Sequence, residues 1–487
     1  MRTAAPRGDR IPARDLLLGS LLIAAGLALR WAASLKPLWL DEIWTLNLLP
    51  RLSSPLQILT AHLDTNNHHL NTLYLYFIHS TSWWPAYRLH SLAAGTLAIP
   101  LAGLCARRLG RLEAWAAAAL TAFSYPLVHY SSEARGYSMA VCFALAAILF
   151  FQRFLEKESP RDAAGFCIFS IFGLLAHLEF IYVLGAAGLC AWIVLARRQG
   201  RLFPMRSLVL LGGAPLLVLA ALYLEDLRFA SYLGTRPQSL LDVTRGALSL
   251  CAGGPEAGAL SWAAAAVALT LTLAGLAVRE KEDEAGAGFS ALLIFALPAA
   301  SVPFFHSRSF EIRYWLIPMA FAIQLEAVAL VRLWRVSPSG RVIAAAAAAA
   351  ILAGSLTRTA KLIEFGRGDC LAALDYMSAR SNGASMDIGG DNDFRDGALV
   401  GFYAPLMRPR RAVVYRDQGS WPSGGVDWVV IHSFDLELRP PSGLRIGGLD
   451  YAFAAAFPYA GLSGFTWCLF KNARRGEGAG AAVAGRH

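Results

Sequence analysis

Residues 37–45 have the sequence Pro-Leu-Trp-Leu-Asp-Glu-Ile-Trp-Thr and follow the first long apolar run of the chain, residues 15–34. An apolar run of about 20 residues is long enough to cross a membrane as a helix. The adjacent carboxylates Asp41 and Glu42 therefore come where the chain leaves the bilayer, between Trp39 and Trp44. Acids at this position are either solvated loop residues or part of a reaction centre at the membrane surface.

The composition is that of a polytopic membrane protein. Of the 487 residues, 56% are hydrophobic and only 16% are charged, whereas about a quarter of the residues of a soluble protein are charged. The formal net charge is +10, and the basic excess lies in residues 1–359, where the apolar runs are. Basic residues there set the orientation in a bilayer. The sequence thus predicts the bilayer, and not nucleic acid, as a partner.

Eleven apolar runs are candidate membrane spans. They cover residues 15–34, 88–106, 112–130, 137–153, 164–178, 180–197, 206–224, 260–279, 288–305, 313–333 and 342–357. With a cytoplasmic N-terminus, retained as a signal-anchor helix, each inner loop is short and basic, as the positive-inside rule requires. The sequence therefore predicts a polytopic α-helical membrane protein with about 11 transmembrane helices, and it places the long loops 35–87 and 225–259 on the outer face.

The C-terminal segment has a different pattern from the membrane part. Cys370–Ala379 has helical spacing, and Ala412–Tyr415 and Asp427–His432 are short β-rich runs separated by Gly, Pro and Asp. We predict a membrane domain over residues 1–359, a small extracytoplasmic α/β domain over 360–473 and a disordered tail over 474–487. Whether Cys370 and Cys468 form a disulfide stays open.

Four polar clusters fall on the same predicted outer side of the membrane. They are Asp41-Glu42, His62-Leu63-Asp64 with Asn66-Asn67-His68-His69-Leu70-Asn71, Ser131-Ser132-Glu133-Ala134-Arg135-Gly136-Tyr137, and Glu311-Ile312-Arg313-Tyr314. Ionisable residues at membrane depth are costly and by default indicate a functional site. Their convergence on one side therefore favours a reaction centre over solvated acids.

The motifs WLDEIWT, NNHHLNTLYLYF, YSSEARGYSM and EIRYWLIP resemble those of the GT-C superfamily of polyprenyl-phosphate-sugar-dependent glycosyltransferases. Among its branches, the motifs look most like those of the protein O-mannosyltransferases and the lipid A aminoarabinose transferases. The resemblance covers residues 10–335 and places the active site in the first outer loop, 35–87. The family has a patch that contains histidine and proline in this loop, whereas this chain has His68-His69-Leu70 without a proline. Acceptor specificity is therefore not carried over.

The resemblance implies an inverting hexosyl- or pentosyltransferase of the bacterial inner membrane. The basic inner loops predict a cytoplasmic N-terminus and a periplasmic C-terminal domain. The enzyme's partners would be a polyprenyl-phosphate-linked sugar donor and a lipid, glycan or protein acceptor. By resemblance, Asp41 is the catalytic base and Glu42 supports it. Arg135, Arg313 and Tyr314 would bind the donor phosphate. The substrate-binding residues would be Asn67, His68, His69, Glu133, Tyr137 and His177.

Several alternatives stay open at this point. A transporter or flippase of a lipid-linked precursor would also carry polar groups near the membrane, and an oligosaccharide ligase or polymerase would use a lipid-diphosphate donor. His62, Asp64, His68 and His69 could hold zinc, and a divalent metal stays open as a cofactor. The stretch Asp391-x-Asp393-x-x-Asp396-Gly397 lacks the glutamate of a calcium loop at the proper spacing, and we interpret it as a turn.

Overall fold

A computed structural model describes residues 12–61, 63, 66–78, 83–229, 238–301, 311–436 and 439–476. The chain divides into two compact units. The first unit contains Met1–Ala32, His68–Asn71 and Arg88–Thr357, and the second contains Ala33–Asn67, Thr72–Tyr87 and Arg358–His487. Residues of the first long loop thus belong to the same unit as the C-terminal segment.

Helices dominate the chain up to residue 365. Their bounds are α1 Ala13–Ala33, α2 Leu40–Leu48, α3 Gln57–Thr60, α4 His69–Ile78, α5 Trp84–Ala106, α6 Arg111–Phe123, α7 Tyr125–Ser131, α8 Tyr137–Lys157, α9 Pro160–Ala176, α10 Ile181–Gln199, α11 Met205–Glu225, α12 Leu240–Cys251, α13 Ala259–Glu282, α14 Glu284–Ala291, α15 Leu297–Ser301, α16 Leu316–Val336 and α17 Pro338–Phe365. A π-helical segment, Leu292–Ala296, joins α14 to α15.

Within the described residues, nine helices are long and apolar enough to cross a membrane. They coincide with nine of the predicted runs, and this confirms the polytopic α-helical fold class. The predicted run 164–178 forms α9, which has 17 residues and a length of about 25 Å. The predicted run 112–130 is not one continuous helix, because it divides into α6 and α7.

The break between α6 and α7 has a local cause at Pro126. Proline lacks the N–H that would bond the carbonyl of Ala122, and its ring crowds that carbonyl. The freed end of α6 is closed by Arg30 of α1, a fully buried side chain. Its guanidinium donates to the carbonyls of Ala122 (2.9 Å) and Thr121 (3.0 Å). A cation at the C-terminus of a helix also complements the helix dipole.

The core of the first unit is built around α16. Every residue from Leu316 to Leu330 is buried, so protein and not lipid surrounds this helix. It packs closely on α13 at Gly275, where a β-carbon would come within 2.1 Å of the carbonyl oxygen of Leu325. Small residues commonly allow such close approach between membrane helices.

The second unit contains a six-stranded mixed sheet of order β2-β1-β3-β6-β5-β4. The strands are β1 Ser385–Gly390, β2 Ala412–Tyr415, β3 Trp428–Ser433, β4 Gly443–Ile446, β5 Leu449–Phe457 and β6 Thr466–Asn472. β1 is parallel to β2 and β3, whereas β6 is antiparallel to β3 and β5, and β4 is antiparallel to β5. The helices are α18 Cys370–Ala379, α19 Asp393–Tyr403 and the short α20 Ala473–Gly476.

This architecture confirms the predicted small C-terminal α/β fold. The predicted helix Cys370–Ala379 and strand Ala412–Tyr415 have the observed bounds, and the second predicted strand is observed as Trp428–Ser433. Cys370 and Cys468 are both buried free thiols. The predicted disordered tail lies outside the described residues from position 477 onward.

Candidate active site

The two carboxylates of the WLDE motif lie in the first turn of α2, in the second unit. The side chain of Glu42 accepts a hydrogen bond from the backbone N–H of Trp39 (3.0 Å), as the glutamate of a capping box does. Glu42 is fully buried and Asp41 is 8% exposed. Glu42 therefore fixes the start of the helix on which Asp41 is carried, and neither acid is a solvated loop residue.

The asparagine pair of the same loop contacts α2 and its surroundings. Asn66 donates from Nδ2 to the backbone carbonyl of Asp41 (2.8 Å) and to the hydroxyl of Thr45 (3.0 Å). Asn67 donates to the carbonyl of Ile58 (2.9 Å), and its buried Oδ1 has no hydrogen-bond partner among the described residues. Asn66, which belongs to the predicted polar cluster but is not one of the predicted substrate-binding residues, therefore holds the backbone beside the carboxylate.

Helix α19 of the C-terminal segment packs against α2 within the second unit. The hydroxyl of Tyr403 donates to the carbonyl of Leu38 (2.6 Å), just before α2 begins. The ring of Phe394 meets Trp44 edge-on at 5.0 Å between centroids. The helix that carries Asp41 is therefore held at its start by Tyr403 and further along by Phe394.

In the first unit, residues 132–136 connect α7 to α8 and are fixed by close backbone packing. A β-carbon at Gly136 would come within 1.8 Å of the carbonyl oxygen of Ala176, so only glycine fits there. The hydroxyl of Ser91 donates to the carbonyl of Arg135 (2.9 Å). Glu133 lies 3.0 Å from His129, and both side chains are fully buried. The position of Arg135 is thus set by its backbone and by the residues next to it.

Rings from four parts of the first unit lie around Tyr137. His177 is 4.4 Å from Tyr137 and 4.7 Å from His68 between ring centroids, and Tyr314 lies 6.2 Å from His177. His177 accepts at Nδ1 from the backbone N–H of Glu179 (3.1 Å), so its other ring nitrogen carries the proton. The structure therefore brings together four residues predicted from separate motifs.

Two guanidinium groups act on this ring cluster. Nη2 of Arg135 donates to the hydroxyl of Tyr137 (3.5 Å), and Arg313 forms an ion pair with Glu311 and lies over the ring of Tyr314, 5.4 Å from its centroid. Burial lowers the pKa of His68 well below its ordinary value of 6.5, and the positive charges of Arg135 and Arg313 lower it further.

A low pKa keeps His68 neutral at pH 7. A backbone hydrogen bond with Ala176 engages His68, while its buried Nε2 has no hydrogen-bond partner among the described residues. Fixed donors at Arg135 and Arg313 suit an anion with several oxygens, since guanidinium groups bind phosphate in bidentate fashion. The chemistry of the cluster therefore suits a phosphate, with the neutral ring nitrogen of His68 among the same polar groups.

His69 has a different environment from its neighbour. Its Nε2 lies 2.9 Å from Oδ2 of Asp226, and both side chains are buried. This pair joins the start of α4 to the residue that follows α11. The zinc set considered from the sequence is not assembled by the described residues, since His68 and His69 contact different groups, and His62 and Asp64 lie outside the described residues.

The structure is similar to the crystal structure of ArnT from Cupriavidus metallidurans bound to undecaprenyl phosphate, with 14% sequence identity and a TM-score of 0.50 over 98% of this chain and 100% of that chain. Its similarity to apo ArnT from the same organism has a TM-score of 0.51 at 14% identity, over 86% of this chain and 93% of that chain. No family model matches the chain, and no curated protein matches it. These comparisons confirm the fold that the resemblance implied.

Proposed function

We propose that this protein is a membrane glycosyltransferase that moves a hexose or pentose from a polyprenyl-phosphate donor to a lipid, glycan or protein acceptor. The observation that carries the proposal is the cluster of buried Arg135, His68 and Tyr137 with half-buried Arg313 and Tyr314, because these groups suit a sugar phosphate. The shared fold with ArnT bound to undecaprenyl phosphate supports the lipid-phosphate class of donor.

The reaction needs one base, because the leaving group is a phosphate that departs as an anion without a proton. Asp41 removes the proton from the acceptor nucleophile, which attacks the anomeric carbon from the face opposite the phosphate. The new bond forms as the bond between the anomeric carbon and the phosphate oxygen breaks, and the anomeric centre is inverted. General bases of this kind contribute about 10²- to 10⁴-fold to rate.

The departing phosphate would be stabilised by Arg135, Arg313 and Tyr314. Donors fixed before the reaction stabilise developing negative charge most effectively. Glu42 supports Asp41 through the cap that it makes with Trp39. The neutral Nε2 of His68 would accept from a sugar hydroxyl, with Tyr137 and His177 as the adjacent ring surfaces. The Oδ1 of Asn67 would also accept from a substrate hydroxyl.

The remaining predicted substrate residues act indirectly in this proposal. Glu133 pairs with His129 and keeps the loop of Arg135 in place. His69 is engaged with Asp226, so it anchors the start of α4 next to His68. We further propose that the protein resides in the bacterial inner membrane with a periplasmic C-terminal domain, since the basic loops favour this orientation. A periplasmic reporter fused to the C-terminus should be active, and a cytoplasmic location would contradict the topology.

The function is tested with purified protein, a labelled polyprenyl-phosphate sugar and a lipid extract as acceptor source. We expect transfer of the label, and we expect Arg135→Gln to raise the KM for the donor and lower kcat, because the phosphate loses a bidentate partner. The control is Arg445→Gln, which removes an exposed guanidinium of β4 that pairs with Asp450. Transbilayer movement of the donor without transfer would instead establish a flippase, and equal kinetics in the two variants would refute the phosphate site.

A further inference from the structure

Three side chains of the second unit meet where two parallel strands end. Asp391 directly follows β1, His432 is the second-last residue of β3, and Asp396 lies in the first turn of α19. In the sheet, β1 lies between β2 and β3. The chain leaves β1 through α19 and continues to β2, on one side of β1 only. Ligands of open α/β sheets bind at the carboxyl ends of the strands, at such a change of direction.

The three side chains are close enough to share one ion. One donor atom of each lies within 4.8 Å of the donor atoms of the other two. Nδ1 of His432 is 2.5 Å from Oδ1 of Asp391, and the backbone N–H of His432 donates to the same carboxylate at 3.3 Å. The backbone therefore holds Asp391 beside the imidazole.

The environment of Asp396 is an independent indication that a cation binds at this site. Its side chain is fully buried. Oδ2 accepts from the backbone N–H of Asn392 (3.2 Å), but Oδ1 has no hydrogen-bond partner among the described residues. A buried carboxylate oxygen without a partner is costly, and a cation would remove that cost.

We propose that Asp391, Asp396 and His432 bind a divalent transition-metal ion of the Zn²⁺ or Mn²⁺ type. One imidazole and two carboxylates are a donor set that these ions accept, whereas Ca²⁺ takes six to eight oxygen ligands. Three protein ligands leave a position for water or another molecule. The site depends on none of the residues assigned to sugar transfer.

Arg395 competes with the proposed ion, because it holds His432 in a form that does not bind metal at Nδ1. Its Nη1 lies 2.7 Å from Nε2 of His432. An ion bound at Nδ1 requires the ring proton on Nε2, and a protonated Nε2 cannot accept from a guanidinium. Arg395 must therefore give up this contact when the ion binds, and its removal should strengthen binding.

The site also has a structural consequence for the WLDE helix. It fixes the first turn of α19, and Phe394 in that turn contacts Trp44 of α2. The ion should therefore slow hydrogen exchange in α19 and α2 together. This readout is independent of enzymatic activity.

The proposal is tested on the metal-stripped full-length protein in detergent by titration with Mn²⁺, followed by electron paramagnetic resonance of the free ion, with Zn²⁺ as competitor. We expect one saturable site that Zn²⁺ displaces. Asp396→Asn and His432→Gln should weaken binding about tenfold or more, while Asp450→Asn, which removes an exposed acid of β5, should not. Arg395→Gln should bind more tightly than the wild type.

Misfolding of a variant could weaken Mn²⁺ binding but could not strengthen it. The higher Mn²⁺ affinity expected for Arg395→Gln therefore tests the site independently of misfolding. Absence of saturable binding to the wild type would overturn the proposal. The proposal would also be overturned if Asp396→Asn and His432→Gln bound Mn²⁺ as tightly as the wild type, or if Arg395→Gln did not bind Mn²⁺ more tightly.

Discussion

Replacing Tyr403 by phenylalanine should loosen α2 while leaving its shape intact. The tyrosine hydroxyl donates to the carbonyl of Leu38 at 2.6 Å, and both residues are fully buried. Phenylalanine keeps the ring and its packing but leaves the Leu38 carbonyl without this donor. An unsatisfied buried group of this kind costs about 1–3 kcal/mol.

The cost falls on the start of α2, because the lost bond joins that segment to α19. A loss of one or two kcal/mol changes an opening equilibrium by about 5- to 30-fold, and amide exchange follows local opening. Hydrogen exchange measured by mass spectrometry on peptides covering residues 38–48 should therefore accelerate by about this factor. If Asp41 is the base, kcat should fall while donor binding is retained.

The matched control is Tyr376→Phe. The hydroxyl of Tyr376 donates to the carbonyl of Ala454 (2.9 Å), which is also a tyrosine-to-backbone bond of the second unit, made by α18 to β5. It should lower global stability without accelerating exchange in α2. Equal exchange of residues 38–48 in both variants, or no acceleration in Tyr403→Phe, would refute the inference that α19 holds the WLDE helix.

Three further predictions concern the first unit. Gly136→Ala should destabilise the protein by at least about 1–3 kcal/mol in thermal unfolding, since its β-carbon would collide with the carbonyl of Ala176; an unchanged melting temperature would contradict this. The free energy of unfolding should fall as the pH drops below 6.5, by up to about 1.4 kcal/mol per pH unit, because His68 takes up a proton in the unfolded state but not in the folded state. In urea unfolding, His68→Gln should reduce this dependence of stability on pH, and an unchanged dependence would count against a neutral His68. Arg30→Met should destabilise by about 2 kcal/mol or more through the unpaired carbonyls at the end of α6, and a change below 0.5 kcal/mol would show that the cap is dispensable.

Local sequence patterns were sufficient to predict most of the elements. Among the described residues, nine predicted apolar runs are observed as helices long and apolar enough to cross a membrane, because length and hydropathy are both read from the local sequence. The helix Cys370–Ala379 begins where predicted, since Asp369 accepts from the N–H of Ala372 and caps it. The run 112–130 was predicted as one span because its composition is apolar throughout, and the break before Pro126 depends on a single residue.

Partners distant in sequence could not be predicted in the same way. Asn67 was predicted to bind substrate, and its neighbour Asn66 is the residue that contacts α2. In an irregular loop, the sequence does not indicate which of two adjacent asparagines faces a given helix. Asp226 is the partner of His69 across 157 positions. Tyr403 reaches Leu38 across 365 positions, and no local periodicity contains such a contact. These long-range pairs are what positions the predicted site residues.

The most direct test of the central proposal is the rate of sugar transfer by Asp41→Asn in a single turnover with labelled polyprenyl-phosphate sugar. Asparagine keeps the size of the side chain and leaves the cap made by Glu42 in place, so donor affinity should be unchanged. The charge-matched control is Asp450→Asn, on an exposed acid of β5. The account predicts a loss of about 10²- to 10⁴-fold in the transfer rate for Asp41→Asn alone, and transfer at the wild-type rate would contradict it.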